Sequence, residues 1–169
     1  MGTITTALCN TFKHELLLGL HAFETDTFKI ALIKASPTDN YGQATTNYSV
    51  GGYDNEGTTS FTTATTLTGG NNDEYTGGSG YSAGGIDLTN VTATLSGTTA
   101  FIDFDDPQWG SSATIDADGA LIYNSSTKGS IAGRAVCVIN FGSTQSSDNG
   151  TFTITIPTGA AGTAIIRIS

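Results

Sequence analysis

The chain has 169 residues and a net charge of −9, with six Lys or Arg against fifteen Asp or Glu. Hydrophobic residues make up 37% and charged residues 12%, so the polarity comes mainly from Thr, Ser, Gly and Asn. This balance excludes a basic nucleic-acid surface, an anionic-membrane surface and the high-charge composition of intrinsic disorder.

Uncharged β-branched residues suit the solvent face of a strand, and the 22 Gly suit turns and bulges. The chain therefore reads as all-β, a single β-sandwich or jelly-roll-like domain over 1–169. Its organisation is an N-terminal helical segment over 1–23 followed by the sandwich over 24–169. Cys9 and Cys137 are too few for a disulfide framework, and Cys137 alternates with Val136 and Val138 as a buried reduced thiol would. Lys13, His14 and Glu15 interrupt the only early apolar stretch, so no secretory signal is expected, and no run approaches transmembrane length. Synthesis in a reducing cytoplasm is the expectation.

In the first segment Leu8, Phe12, Leu16 and Leu20 recur at every fourth position with Leu17 alongside. This spacing predicts a helix over Thr6 to Leu20, capped by Thr5 or Thr6 and ended near Gly19. Such a helix, separate from the strand pattern, is expected to pack on the β-domain or on a partner, and its removal to leave a folded β-domain. From Thr27 the period becomes two: Phe28, Ile30 and Leu32 share one face, Lys29, Ala31 and Ile33 the other, and Pro37 closes the strand. Asp39 to Gly80 is Thr-, Asn- and Gly-rich, with Phe61 and Leu67 as apolar anchors. Turn signals fall at Gly51-Gly52, at Gly69 to Asn72 and at Gly77-Gly78. A connection this long is functional or holds strands the pattern does not reveal.

Strands are then predicted at Ile86 to Leu95, Thr99 to Asp105, Ala120 to Tyr123, Ile131 to Phe141, Thr151 to Ile156 and Thr163 to Ile168. Ala135 to Phe141 is mostly apolar, as for a strand covered on both faces, whereas Phe152, Ile154 and Ile156 alternate with Thr, so one face is wet.

The residues able to carry chemistry are sparse. His14 and His21, seven apart, would share one side of a continuous helix, which is not the four-residue spacing of a helical metal pair; both read as surface or interface histidines. Asp103, Asp105 and Asp106 form the densest acidic cluster, a possible Ca²⁺ or acid–base pair that fits turn-forming carboxylates better. Asp116-Ala-Asp118-Gly119 looks like part of a calcium loop but lacks the further ligands, so a tight turn is predicted there. Gly77 to Gly85 has no following Lys or helix to cradle a phosphate. The sequons at Asn47, Asn90, Asn124 and Asn149 are near chance in so Ser- and Thr-rich a chain. Trp109 is predicted to anchor the core between sheets, with a contact to a neighbouring subunit as the other reading. No catalytic, cofactor-binding or metal-binding residue is assigned, no cofactor is expected, and an enzyme is the last choice among the function classes.

The leading helix, the Phe28-Lys-Ile-Ala-Leu32 strand, the Gly80 to Gly85 turn, the Asp105-Asp-Pro-Gln-Trp109 block, the Ala120-Leu-Ile-Tyr-Asn124 strand and the Phe141-Gly142 ending follow one another in an order with a known counterpart. In it the chain resembles small tailed-bacteriophage virion structural proteins of the capsid decoration or cement type. The resemblance implies a non-enzymatic virion component on the capsid surface, made in the host cytoplasm. Its implied partners are the major capsid protein and itself, as a homo-trimer or dimer, with neither nucleic acid nor membrane. A tail, neck or host-adhesion component is the alternative, and a carbohydrate-binding β-sandwich module the non-viral one.

Overall fold

The computed structural model describes residues 1–49, 65–68, 73–89, 91–129 and 131–169. Phe61, the turn signals at Gly51-Gly52 and Gly69 to Asn72, and the Asn90 sequon lie outside the described residues.

The fold is an all-β sandwich with one short helix near the N-terminus. In chain order the elements are β1 (Ala7–Leu8), α1 (Asn10–Leu17), β2 (Phe28–Lys34), β3 (Thr45–Ser49), β4 (Thr65–Thr68) and β5 (Ile86–Asp87). They continue with β6 (Thr92–Ser96), β7 (Thr99–Asp103), β8 (Gln108–Asn124), β9 (Arg134–Thr153) and β10 (Ile166–Ile168). The larger sheet runs β4-β3-β9-β8-β2-β5 with β1 also on β9; the smaller runs β10-β7-β6. All pairings are antiparallel except β3 with β4.

The centre is the β8–β9 hairpin, flanked by β2, and burial explains why. Leu121, Ile122, Val136 and Val138 are fully enclosed, as are Ile30, Leu32 and Ile33 of β2. The apolar run from Ala135 therefore lies in the middle of the sheet, and the alternation from Thr151 keeps Phe152, Ile154 and Ile156 inside with each Thr outside. Trp109 is buried, stacked near Tyr81 and edge-on to Phe152, which is the core-anchor reading.

Three expectations are corrected. The predicted turn at Asp116 to Gly119 is strand: β8 continues through it, and a bulge absorbs the irregularity, with Ala117 opposite Gln145 but Gly119 already opposite Asn140. A Cβ on Gly119 would run into the Ile139 carbonyl oxygen, so a side chain does not fit where the two strands come back together. The second correction is the helix, which is eight residues, Asn10–Leu17, rather than Thr6 to Leu20. Ala7 and Leu8 pair with Val138 and Cys137, and Thr6 Oγ1 accepts the Asn140 N–H instead of capping a helix. Gly19 does end it, with φ +70°. The third is the separability of the N-terminal segment: Ala7 and Leu8 pair with β9, and Cys9 and Phe12 are core residues, so this segment is packed into the domain.

Candidate functional site

Among the described residues, two buried polar clusters and an apolar groove stand out. The first cluster clamps α1 to the sheet. Glu15 of α1 is buried, with Oε1 accepting from Arg134 at 2.8 Å and Oε2 lying 2.9 Å from His21 Nε2. Arg134 opens β9 opposite Asn124, the last residue of β8. Asn124 Oδ1 accepts the Ser126 N–H, which leaves its amide nitrogen to donate to Asp26 at 2.8 Å and to His21 Nδ1 at 3.3 Å. His21 Nδ1 is therefore the acceptor and Nε2 carries the proton given to Glu15. Asp26 closes the cluster with Lys128 Nζ at 2.7 Å and the Ala22 N–H at 2.9 Å. Burial raises the Asp26 carboxyl, but the Lys128, Ala22 and Asn124 hydrogen bonds outweigh it and hold the group below its ordinary value.

His21 is thus not on a helix face with His14. The helix has ended at Leu17, and the returning chain turns His21 inward, buried against Phe12 and Phe28. The surface-histidine reading fails for this residue because Glu15 and Asn124 supply the hydrogen bonds that burial requires.

The second cluster comes from the segment the sequence left blank. Asp73 is fully buried and accepts from the Thr38 and Asp39 N–H groups and the Tyr41 hydroxyl, with Lys34 Nζ at 2.9 Å. Burial works against the charge, yet these donors bring its pKa down to about 2. Beside it, buried Glu74 accepts from Tyr48 at 2.6 Å, Tyr81 at 2.7 Å and the Gly84 N–H at 2.6 Å. Tyr48 also stacks on Tyr123 at 4.6 Å, and the Tyr123 hydroxyl donates to Gly84 O. The Gly80 to Gly85 turn is therefore a cover over a buried carboxylate. Gly85 has φ +69° and its Cβ would overlap the Ile30 carbonyl, so only glycine brings this turn so close to β2.

The acidic residues flagged by sequence do structural jobs. Asp103 accepts its neighbour Phe104 N–H, Asp105 accepts from Thr89 Oγ1, and Asp106 accepts the Ile156 N–H. Asp116 and Asp118 accept from Ser146 and Thr144 across the β8–β9 bulge, and Asp118 also takes the Ser36 N–H. Among the described residues, no group of three or more His, Cys, Asp or Glu is placed to hold a metal ion. Of the sequon residues, Asn47 and Asn124 are buried side chains bonded inside the protein. Cys9 and Cys137 are free buried thiols; burial, and for Cys9 the nearby Cys137, push both upward, Cys137 to about 12.

Apart from these clusters, a groove of about 320 Å³ lies between α1 and the small sheet. Phe12, Leu16 and Phe23 form one wall and Leu95, Ile166 and Ile168 the other, and no charged residue lines it. Leu95 and Ile168 of this lining are 73% and 60% exposed. No local pattern reveals this surface, because its residues come from three distant segments.

Comparison of the chain with protein-family models, curated proteins and solved structures returns no match.

Proposed function

We propose that this chain is a non-enzymatic bacteriophage virion structural protein that decorates or cements the capsid shell, acting as a homo-oligomer that binds the major capsid protein. The observation that carries the reading is the contrast between its two kinds of surface. Its buried acids and cations are tied to one another in structural clusters, while an uncharged apolar groove on an otherwise acidic protein is left open. A protein whose task is to bind and stay bound needs such a surface and no reactive side chain. A particle-bound subunit gains by repetition: modest contacts multiplied over a shell stabilise it, and preferential binding to the assembled form shifts the shell toward that form by mass action. The sequence order resembling phage virion proteins supports the same class.

The test is location and copy number in purified particles. Quantitative mass spectrometry with gold-labelled antibody should find the protein distributed over the whole shell in hundreds of copies. Confinement to the portal vertex or tail would replace this reading with the neck or tail alternative, and absence from particles would end both.

A further inference from the structure

We propose that the outer edge of the chain at Thr151 to Thr155 is a strand-addition site, taking an extended, uncharged segment of another protein with an apolar side chain at every second position. The inference deepens the binding role proposed above and rests on it, naming the kind of partner segment that is held. Beyond Val138, β9 pairs as a strand only with β8 among the described residues. That pairing is carried past Thr153, with the Ile154 N–H on the Pro107 carbonyl at 3.0 Å and the Ile156 N–H on Asp106 Oδ1 at 2.8 Å. On an antiparallel strand the main-chain groups of successive residues point to opposite edges. Ile154 and Ile156 turn toward β8, so the N–H and C=O groups of Thr153 and Thr155, and of Thr151 before them, point away from it. All three Thr are exposed. The stretch holds no Pro and no charge, the devices that usually close an edge to a further strand.

A cavity of about 440 Å³ lies along this edge. Five consecutive residues, Thr151 to Thr155, line it; since side chains alternate between faces, such contact is with the strand's edge rather than with one face. Ile139 and Phe141 line it as well, with the Phe141 and Phe152 rings 6.5 Å apart, and no lining residue is charged. Main-chain donors and acceptors beside an apolar recess are the two halves of strand addition: the edge supplies hydrogen bonds and the recess takes alternate side chains. The same chemistry selects the occupant. A second copy offering this edge has only Thr side chains to present, because its Phe152 and Ile154 are buried in its own core, and the recess would stay unfilled. A different segment, neutral along its length, fills it. An acidic one is opposed by the net charge of −9 and by Asp116, which accepts from the hydroxyl of the lining residue Ser146.

The probes are end-blocked synthetic peptides of alternating Val and Thr, titrated into the isotope-labelled full chain to about 1 mM and followed by amide NMR. The Thr153 and Thr155 amide signals should shift and their hydrogen exchange should slow, while exchange at Ile154 and Ile156 stays as it is. The same peptide N-methylated on every second residue, in either register, should bind about tenfold more weakly or worse, as should a version with Asp in place of each Thr. Thr153→Pro removes an outward N–H without touching the β8 ladder, and should weaken binding by a similar factor while keeping the wild-type thermal midpoint. Absence of binding at the highest peptide concentration, or equal binding of the N-methylated peptides, would overturn the proposal. So would self-association of the wild type that Thr153→Pro abolishes, since the occupant would then be a second copy. The N-methylated peptides leave the protein unaltered, so they decide the matter even where Thr153→Pro does not fold. No particle enters these measurements, so they fail or succeed independently of the location test.

Discussion

Removing the carboxylate of Glu15 should be among the most damaging single changes available to this fold. Glu15→Ala takes away both acceptors of the clamp between α1 and the sheet. Arg134, whose side chain is 3% exposed, keeps only the Lys128 carbonyl at 3.3 Å, and its Nε already has no partner among the described residues. His21 loses the acceptor of its Nε2 proton. Stripping one partner from a buried ion pair costs about 3–5 kcal/mol, because the remaining charge is left uncompensated in a place water does not reach. That is a large share of a total stability of about 5–15 kcal/mol. At about 2–4 °C per kcal/mol for a domain this size, the thermal midpoint should fall by roughly 6–20 °C. Urea denaturation followed by tryptophan fluorescence measures the loss directly, since Trp109 is the sole tryptophan and lies in the core. Arg134→Met in the Glu15→Ala background removes the orphaned charge and should recover much of the cost, giving a coupling of about 2 kcal/mol or more. A Glu15→Ala loss below about 1 kcal/mol, or additive costs in the double variant, would refute the view that this pair is a desolvated clamp.

Deleting Met1 to Leu20 should abolish cooperative unfolding, because it removes the β1 pairing and core residues Cys9 and Phe12 as well as Glu15; a sharp, native-like urea transition in the truncated protein would contradict this. Asp73, lowered to about 2 from an ordinary 3.8, binds its proton less readily folded than unfolded. It contributes about 2 kcal/mol of stability above pH 4 that disappears as pH falls toward 2, and Asp73→Asn should flatten the stability profile in that window. Tyr41, Tyr48, Tyr81 and Tyr123 are raised far above the ordinary phenol value, by burial first and then by neighbouring acids, so their phenolate absorbance at a pH of about 10 should stay near zero until the protein unfolds; Tyr75 is raised in the same direction. Cys9 and Cys137 should resist alkylation in the native state and react together with global unfolding; fast labelling of either in the folded protein would show that the β1–β9 pairing opens on its own.

Strand identity was legible in the sequence wherever period or composition was strong. Phe28 to Lys34 and Ala135 to Val138 are strand where their patterns place them, because burial on one or two faces writes itself directly into residue order; the alternation through Ile156 sets which side chains are buried, although the strand itself ends at Thr153. Helix length was not legible. Leu8 fits a four-residue repeat by coincidence, and what makes it strand is pairing with Cys137, more than a hundred residues away. The bulge at Asp118 hid for the same reason: a Gly-containing acidic stretch reads as a turn until a partner strand carries it through. The clamp and the groove were beyond the sequence altogether. Glu15, His21, Asn124 and Arg134 are ordinary residues in ordinary contexts, and only the closing of β8 onto β9 and of α1 onto both brings their polar atoms within hydrogen-bond reach. Local order fixes which residues want to be buried; which polar groups meet inside, and which apolar face is left over, is decided by long-range packing of segments whose separation no local pattern encodes.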